Sequence, residues 1–417
     1  MFVGFIFFGD FLITQLHLRI ISLNYTLSRP RQIKIKAKVS AQLSAIKEQI
    51  YMETRDKLMS LTQSDKTQQW LMDKSSNQDD IQQLQQQFSQ QLDQQYNALL
   101  ADEKAKLDQY VEVHQGLESL KEEIESEPIT LNIDKLPDIK ATMLERAKND
   151  EHSDKIEKLF DRLEQALNGT NRLYTQLSLI GTRTHRITTK NFNLQGLPKA
   201  VQHTILPSKF KKVYTVDFKS FEPSVAAYMT QDSKLIDLLN QKDGLYDALL
   251  SELGLSDELR VFVKRAFIGS FLFGGNFKNP KFKLNQYVSE VQWLDAVSQF
   301  TKVIELKKHV EKSNSMPMPY SIEHDMSAFQ GSSIMAIYVQ TVASYIFKHI
   351  LLKVYKAQCD QKTFKIIVPI HDAIMIECED EEIAQNVGQL MKDTANQLFN
   401  GEFAHVTVEE IGGVDHE

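Results

Sequence analysis

Two cysteines, Cys359 and Cys378, are all that the 417 residues contain. So few cannot build a disulfide framework or a thiolate zinc site, and a reducing, cytoplasmic setting fits them. Excess positive charge is missing too: the net charge of −7 excludes a uniformly basic surface, though it leaves room for a basic groove. No internal repeat is found, and glycine and proline are nearly absent between about Val39 and Glu127. The one long apolar stretch, Met1 to Tyr25, is interrupted by Asp10, and no small-residue cleavage site follows a basic start. It reads as a buried strand or a misassigned start ahead of a membrane anchor, so no membrane partner is expected. At 42% apolar residues the chain is globular and long enough for two or three domains.

What is present begins with helix. Ile81, Leu84, Phe88, Leu92, Tyr96 and Leu99 recur at three or four residues among nine glutamines, one apolar stripe on an amphipathic helix. Leu107, Tyr110, Leu117, Leu120 and Ile124 continue the pattern. The pair reads equally as a long helical hairpin or as a coiled-coil arm. After Pro128 the texture becomes mixed: a short run ITLNI, helices from about Ile139 to Ile180, and a buried strand Val213 to Val216 ending at Asp217. Pro223 suits the first turn of the helix that follows. A helix from Ser256 to Gly274-Gly275 carries Arg260 and Lys264 one turn apart on one face. Another long helix covers Ile334 to Tyr355. Strands at Lys365–Ile370 and Ile374–Glu377 leave room only for a tight turn at His371-Asp372. An amphipathic helix through Ile383, Val387, Leu390 and Leu398, then a strand at Val406–Val408, close the chain.

Asp217 and Asp372 each sit at the end of an apolar strand, where a carboxylate must meet solvent, a partner or a metal. Their company is basic. Arg183 to Lys212 holds seven Lys or Arg and Arg260 to Lys283 holds six, with no Asp or Glu in either run. Such runs are solvated faces or phosphate-binding surfaces.

In this order the residues resemble the family A DNA polymerases, typified by bacterial DNA polymerase I, from about Leu84 to the C-terminus. Thr184-His185-Arg186-Ile187-Thr188 with Asn193-Leu194-Gln195-Gly196-Leu197-Pro198 is similar to the family's TGR…NLQN(I/L)P segment. DFKSFEPSVAAY from Asp217, followed by Asp243-Gly244-Leu245-Tyr246, is similar to motif A and its sequel. Arg260, Lys264 and Phe273-Gly274 resemble motif B, and Ile370-His371-Asp372-Ala373 resembles motif C.

The resemblance implies an α+β right-hand polymerase fold with helical thumb, antiparallel-sheet palm and helical fingers. It implies a DNA-directed DNA polymerase acting on primer-template DNA and dNTPs, with Asp217 and Asp372 holding two Mg2+ ions, or Mn2+ in their place. Carboxylates are the hard oxygen ligands those ions prefer. Lys264 and Arg260 would meet the triphosphate. Glu222 would crowd the ribose 2′ position. Arg186, Asn193, Gln195 and Gln340 would contact primer or template in the minor groove, where base pairs present similar acceptors. His371 would orient the primer terminus.

Two departures stand out. Ala373 occupies a position where the family has a glutamate. Motif B is one residue long: counting from Lys264 reaches Leu272 at the family's tyrosine, whereas counting back from Phe273-Gly274 puts Arg265 at its lysine. Lys264 is preferred because Arg260 then falls in place, which leaves Ile268 or Gly269 at the aromatic stacking position and Leu272 or Phe273 at the tyrosine. The expected layout is a leader over 1–80, a thumb-like hairpin over 81–130, palm over 131–235, fingers over 236–320 and the rest of the palm over 321–417. The leader is too short for a proofreading exonuclease domain and holds no acidic DxE cluster. A monomer is expected. Single-chain RNA polymerase is the nearest rival, which Glu222 opposes, and a non-catalytic replication or scaffold protein is the rival from another class.

Overall fold

A computed structural model describes Gln109 and residues 112–147, 150–312 and 333–413. The apolar start, the 1–80 leader and the glutamine-rich stripe from Ile81 to Leu99 lie outside the described residues. Of the expected hairpin, only its end is described.

That end is helix α1, residues 112–126, whose Val113, Leu117, Leu120 and Ile124 are buried at helical spacing. Strand β1 (Ile129–Leu131) follows, then helices α2 (Leu136–Glu145) and α3 (Asp150–Leu167). The long helical stretch read toward Ile180 stops at Leu167. Asn168 and Gly169 both take left-handed backbone, φ 48° and 74°, which ends a helix. The residues beyond form β2 (Arg172–Leu173) and β3 (Gln176–Ser178) instead. Next come β4 (Thr188–Lys190), the short helix α4 (Lys199–Gln202) and β5 (Ile205–Leu206). Strand β1 lies between β2 and β5, and β3 pairs with β4, all antiparallel.

The main sheet is built from β6 (Lys212–Lys219), β7 (Phe364–Ile370), β8 (Ala373–Cys378) and β9 (His405–Gly413), in the order β7-β8-β6-β9 and antiparallel throughout. Strand β6 does not end at Asp217. Asp217 and Lys219 continue the ladder opposite Thr407 and His405 of β9. Alternation along β6 buries Tyr214, Val216 and Phe218 on one face and leaves Thr215, Asp217 and Lys219 on the other. The buried face is covered by helix α12 (Glu381–Phe399), whose Gly388 lies against Val216, Val406 and Val408.

Between β6 and β7 run α5 (Phe221–Thr230), α6 (Ser233–Asn240), α7 (Gly244–Glu252), α8 (Arg260–Ala266), α9 (Glu290–Ser298), α10 (Thr301–Lys312) and α11 (Ser333–Gln361). Several ends carry caps: the Asp232 carboxylate accepts from Leu235 N–H, and Ser289 forms a capping box with Gln292. Helix α11 alone among the described residues is long and apolar enough to cross a membrane, but most of it is buried within the fold. It contributes Met335, Val339, Val342, Ile346 and Ile350 to one continuous core.

Helix α8 does not simply run on to Gly274. It changes at Phe267–Leu272 into a π-helical segment, in which Phe273 N–H donates to Ile268 C=O at 2.9 Å, five residues back. Gly269 lies in that wide turn with no room for a side chain, since a Cβ would fall 2.4 Å from the Phe282 ring. The segment is pinned from outside by Trp293, which donates to Ser270 Oγ at 3.1 Å and stacks on Phe277 at 5.3 Å.

Candidate active site

Asp217 and Asp372 come from adjacent strands. Asp217 is paired with Ala373 across β6 and β8, so Asp372 is the next residue along, in the two-residue turn that joins β7 to β8. His371 takes the left-handed conformation there, φ 55°, which lets the turn be that tight. Burial raises the Asp217 carboxyl above its usual range although it keeps solvent contact, and the charges of Lys264 and Lys199 oppose the rise. Asp372 is pushed up to about 7 by burial and then by the charges of Glu222 and Asp217. The two acids therefore share one electrostatic site, and each makes ionising the other costlier.

Glu222 stands in the first turn of α5, and Arg186 Nη2 donates to its Oε1 at 2.9 Å. Both side chains are half-buried. Three sharp backbone positions serve this cluster. His185, Ser220 and His371 all have left-handed φ, 56°, 55° and 55°, and they immediately precede Arg186, α5 with its Glu222, and Asp372. The Arg186 loop is clamped to α11: Ser344 Oγ donates to His185 C=O at 2.6 Å, and His185 Nδ1 shares a 2.8 Å hydrogen bond with the Tyr345 hydroxyl. Gln195 is buried, and its amide donates to the carbonyls of Ile187 and Pro369 at 3.1 and 3.2 Å. It staples the Arg186 segment to the end of β7, next to the His371-Asp372 turn. Burial and the Arg186 charge lower the His371 pKa.

Arg260 and Lys264 both lie over the ring of Tyr246, at 5.5 and 5.8 Å from its centroid. Arg260 Nε also donates to both Asp247 oxygens, at 2.8 and 3.0 Å. Lys264 is the cation felt most by Asp217. This bears on the ambiguity in motif B. A π segment uses one residue more than the α-helix it replaces, so the extra residue is absorbed within Phe267–Leu272, downstream of Lys264. Lys264 and Arg265 are both exposed, but it is Lys264 that shares the Tyr246 ring with Arg260 and whose charge acts on Asp217.

Asn193 is exposed, with its amide against the Gly196 backbone; Gln340 is half-buried on α11; Ile268 and Phe273 are half-buried in and just after the π segment. Among the described residues no three His, Cys, Asp or Glu side chains surround one point as a ready metal cage. The donor set is instead a pair of hard carboxylates whose mutual repulsion a divalent cation would relieve, which fits Mg2+ bound jointly with substrate oxygens. Sequence reading missed Tyr246 as more than a companion of motif A, and it missed His185 and Lys199. Their signal is spatial: Tyr246 meets cations of another helix, His185 meets Tyr345 of α11, and Lys199 acts on Asp217 from outside its strand.

No family model matches the chain. In sequence it is 22% identical over 275 residues to DNA polymerase I of Borreliella burgdorferi, covering 57% of this chain and 30% of that protein. In structure it is similar to the POL domain of Pol1 from M. smegmatis in complex with DNA primer-template and dNTP. That likeness has a TM-score of 0.53 at 17% identity and covers 62% of this chain and 51% of the other. The fold is that of a Pol1 POL domain. The chain spans under a third of the curated relative and about half of the solved one. Within this polymerase fold the expected α+β class holds: helices cover one face of an antiparallel sheet, and Asp217 lies on the other.

Proposed function

We propose that the chain is a DNA-directed DNA polymerase that extends a primer 3′-hydroxyl with deoxynucleoside triphosphates and releases pyrophosphate. The observation that carries this reading is the neighbouring pair Asp217 and Asp372, one on a strand and one in the adjoining turn, with raised pKa values and with the Lys264 charge acting on Asp217. Two Mg2+ ions held by these carboxylates would neutralise the transferring phosphate and ease loss of the hydroxyl proton.

The chain's own groups divide the remaining work. Lys264 and Arg260 carry positive charge for the triphosphate and for the pyrophosphate that leaves. Glu222, fixed by Arg186, is a carboxylate wall against a 2′-hydroxyl, which favours deoxynucleotides over ribonucleotides. His371 and Gln195 hold the Asp372 turn against the Arg186 segment. The main sheet is the palm of this reading, α8 with its π segment belongs to the fingers, and α1 is the end of the thumb. DNA contacts fall to Arg186, Asn193 and Gln340 on the surfaces around the sheet.

Primer extension on a primed template, with dNTPs or rNTPs and with Mg2+ or Mn2+, tests the reading. Extension with dNTPs that is lost in Asp217→Asn and in Asp372→Asn supports it. Incorporation of rNTPs in preference would move the assignment to an RNA polymerase. Absence of any incorporation, or aspartate variants that extend as well as the parent chain, would overturn it.

A further inference from the structure

We propose that Tyr246 is a positioning residue of the nucleotide site, its ring serving as the shared platform that sets Arg260 and Lys264 side by side before a triphosphate arrives. The inference rests on the reading of those two cations as the triphosphate ligands. Tyr246 lies on α7, a different helix from the cations, and is only 3% exposed. Its ring is packed edge-on to Phe267 at 6.2 Å, which fixes its plane against the π segment. Two cations over one ring would repel each other in water. Here the negative face of the ring is placed under both, and Asp247, the next residue on α7, takes the Arg260 Nε. The α7 turn thus supplies a ring and a carboxylate that together orient two long, flexible side chains. Preorganisation of this kind lowers the ordering cost that binding would otherwise carry.

The hydroxyl at the other end of the ring is buried beside Ser220, forms no well-shaped hydrogen bond, and feels the charges of Glu222 and Asp372. It joins the cations' platform to the carboxylate cluster through one rigid side chain. A tyrosine that merely filled the core would not need both cations on its face.

The test compares Tyr246→Leu with Tyr246→Phe in the full chain, measuring the KM for dNTP, kcat, and equilibrium binding of a fluorescent dATP analogue to primer-template complex. Tyr246→Leu is expected to raise KM and the dissociation constant Kd about tenfold with kcat changed less, and Tyr246→Phe, which restores the ring, to recover most of that loss. Adding Tyr246→Leu to a Lys264→Ala, Arg260→Ala background is expected to change nucleotide binding little, because the platform then has nothing to hold. Thermal unfolding of each variant separates a folding defect from a positioning one, and the non-additivity remains readable in a variant that is less stable but folded. Unchanged nucleotide binding in Tyr246→Leu, a Tyr246→Phe no better than Tyr246→Leu, or fully additive losses overturns the proposal. If the parent chain binds the nucleotide but does not extend a primer, the polymerase reading fails while the platform stands.

Discussion

Asp217 and Ala373 face each other across the antiparallel pair β6–β8. Directly opposed residues share a face of the sheet and have close Cβ atoms, so residue 373 points to the same side as the Asp217 carboxylate. Alanine there leaves Glu222 as the further acid whose charge acts on both aspartates. Ala373→Glu would add a like charge to two carboxylates that already resist ionisation. In EDTA this variant should be less stable than the parent by roughly 1–3 kcal/mol. Its Tm should also rise more steeply with added Mg2+. Equal Mg2+ response in both proteins, followed by thermal denaturation, would count against the placement of residue 373 beside the two aspartates.

Lys264 and Arg265 are neighbours in sequence, but only Lys264 is tied to Tyr246 and Asp217. Lys264→Ala should lower kcat/KM for dNTP by about a hundredfold, on the order of 3 kcal/mol of charge stabilisation. Arg265→Ala should cost less than about threefold, a surface effect. Steady-state extension kinetics decide, and the reverse ranking would move the phosphate-binding role to Arg265.

The π segment gives a prediction about chain length. Deleting Gly269 should let Phe267–Leu272 close into ordinary α-helix, leaving Lys264 and Phe273 near their present positions, with extension retained within about tenfold. Deleting Phe262 from α8 instead shifts every residue upstream of the cut by about 100° of helical rotation relative to Lys264. That change should separate Arg260 from its partner cation and abolish extension. Tm values of both deletions, measured alongside activity, show whether loss comes from misfolding.

Lys348, on α11, is 1% exposed with an ammonium that has no hydrogen-bond partner among the described residues. Burial lowers its pKa from 10.5 to about 7. The unfolded chain then binds more protons than the folded one between those values. Unfolding free energy should therefore rise with pH across that window, by up to ~1.4 kcal/mol per pH unit, and the penalty is fully felt below it. Lys348→Met should be more stable at pH 7 by about 1–4 kcal/mol and should lose that slope. Urea unfolding at pH 7 and pH 9.5 is the check, and parallel pH slopes in the two proteins would refute it.

The parts of this fold governed by local periodicity were readable from the sequence. The apolar runs flanking His371-Asp372 could only be a hairpin, whereas the strand read as ending at Asp217 runs on to Lys219, with Tyr214, Val216 and Phe218 buried on the face away from Asp217. Helix α3 illustrates a partial failure: its apolar series was visible, yet the Asn168-Gly169 stop that ends it was overlooked. The wide turn at Phe267–Leu272 had a visible symptom, the one-residue excess in motif B, but its resolution depends on Phe282, Ser270 and Trp293 packing around it. Periodicity carries no record of such tertiary choices. Tyr246 was in plain view, whereas its cations belong to another helix. Lys348 was hidden for the opposite reason, since one lysine in an apolar helix reads as a surface position. The pairing of Arg186 with Glu222 lies between these cases, both residues being named from resemblance and their contact supplied only by folding.

The hairpin that carries Asp372 has a kinetic corollary. Strand β8 is buried along its whole length and held on both sides, by β7 and by β6. No hinge or loop intervenes between Asp372 and that ladder, so the acid has no private route out of place. Amide exchange around residues 373–377 should proceed only through the rarest and largest openings of the molecule. The centre of the site thus lasts as long as the sheet itself, and heat or denaturant should displace Asp372 no earlier than it melts the strands.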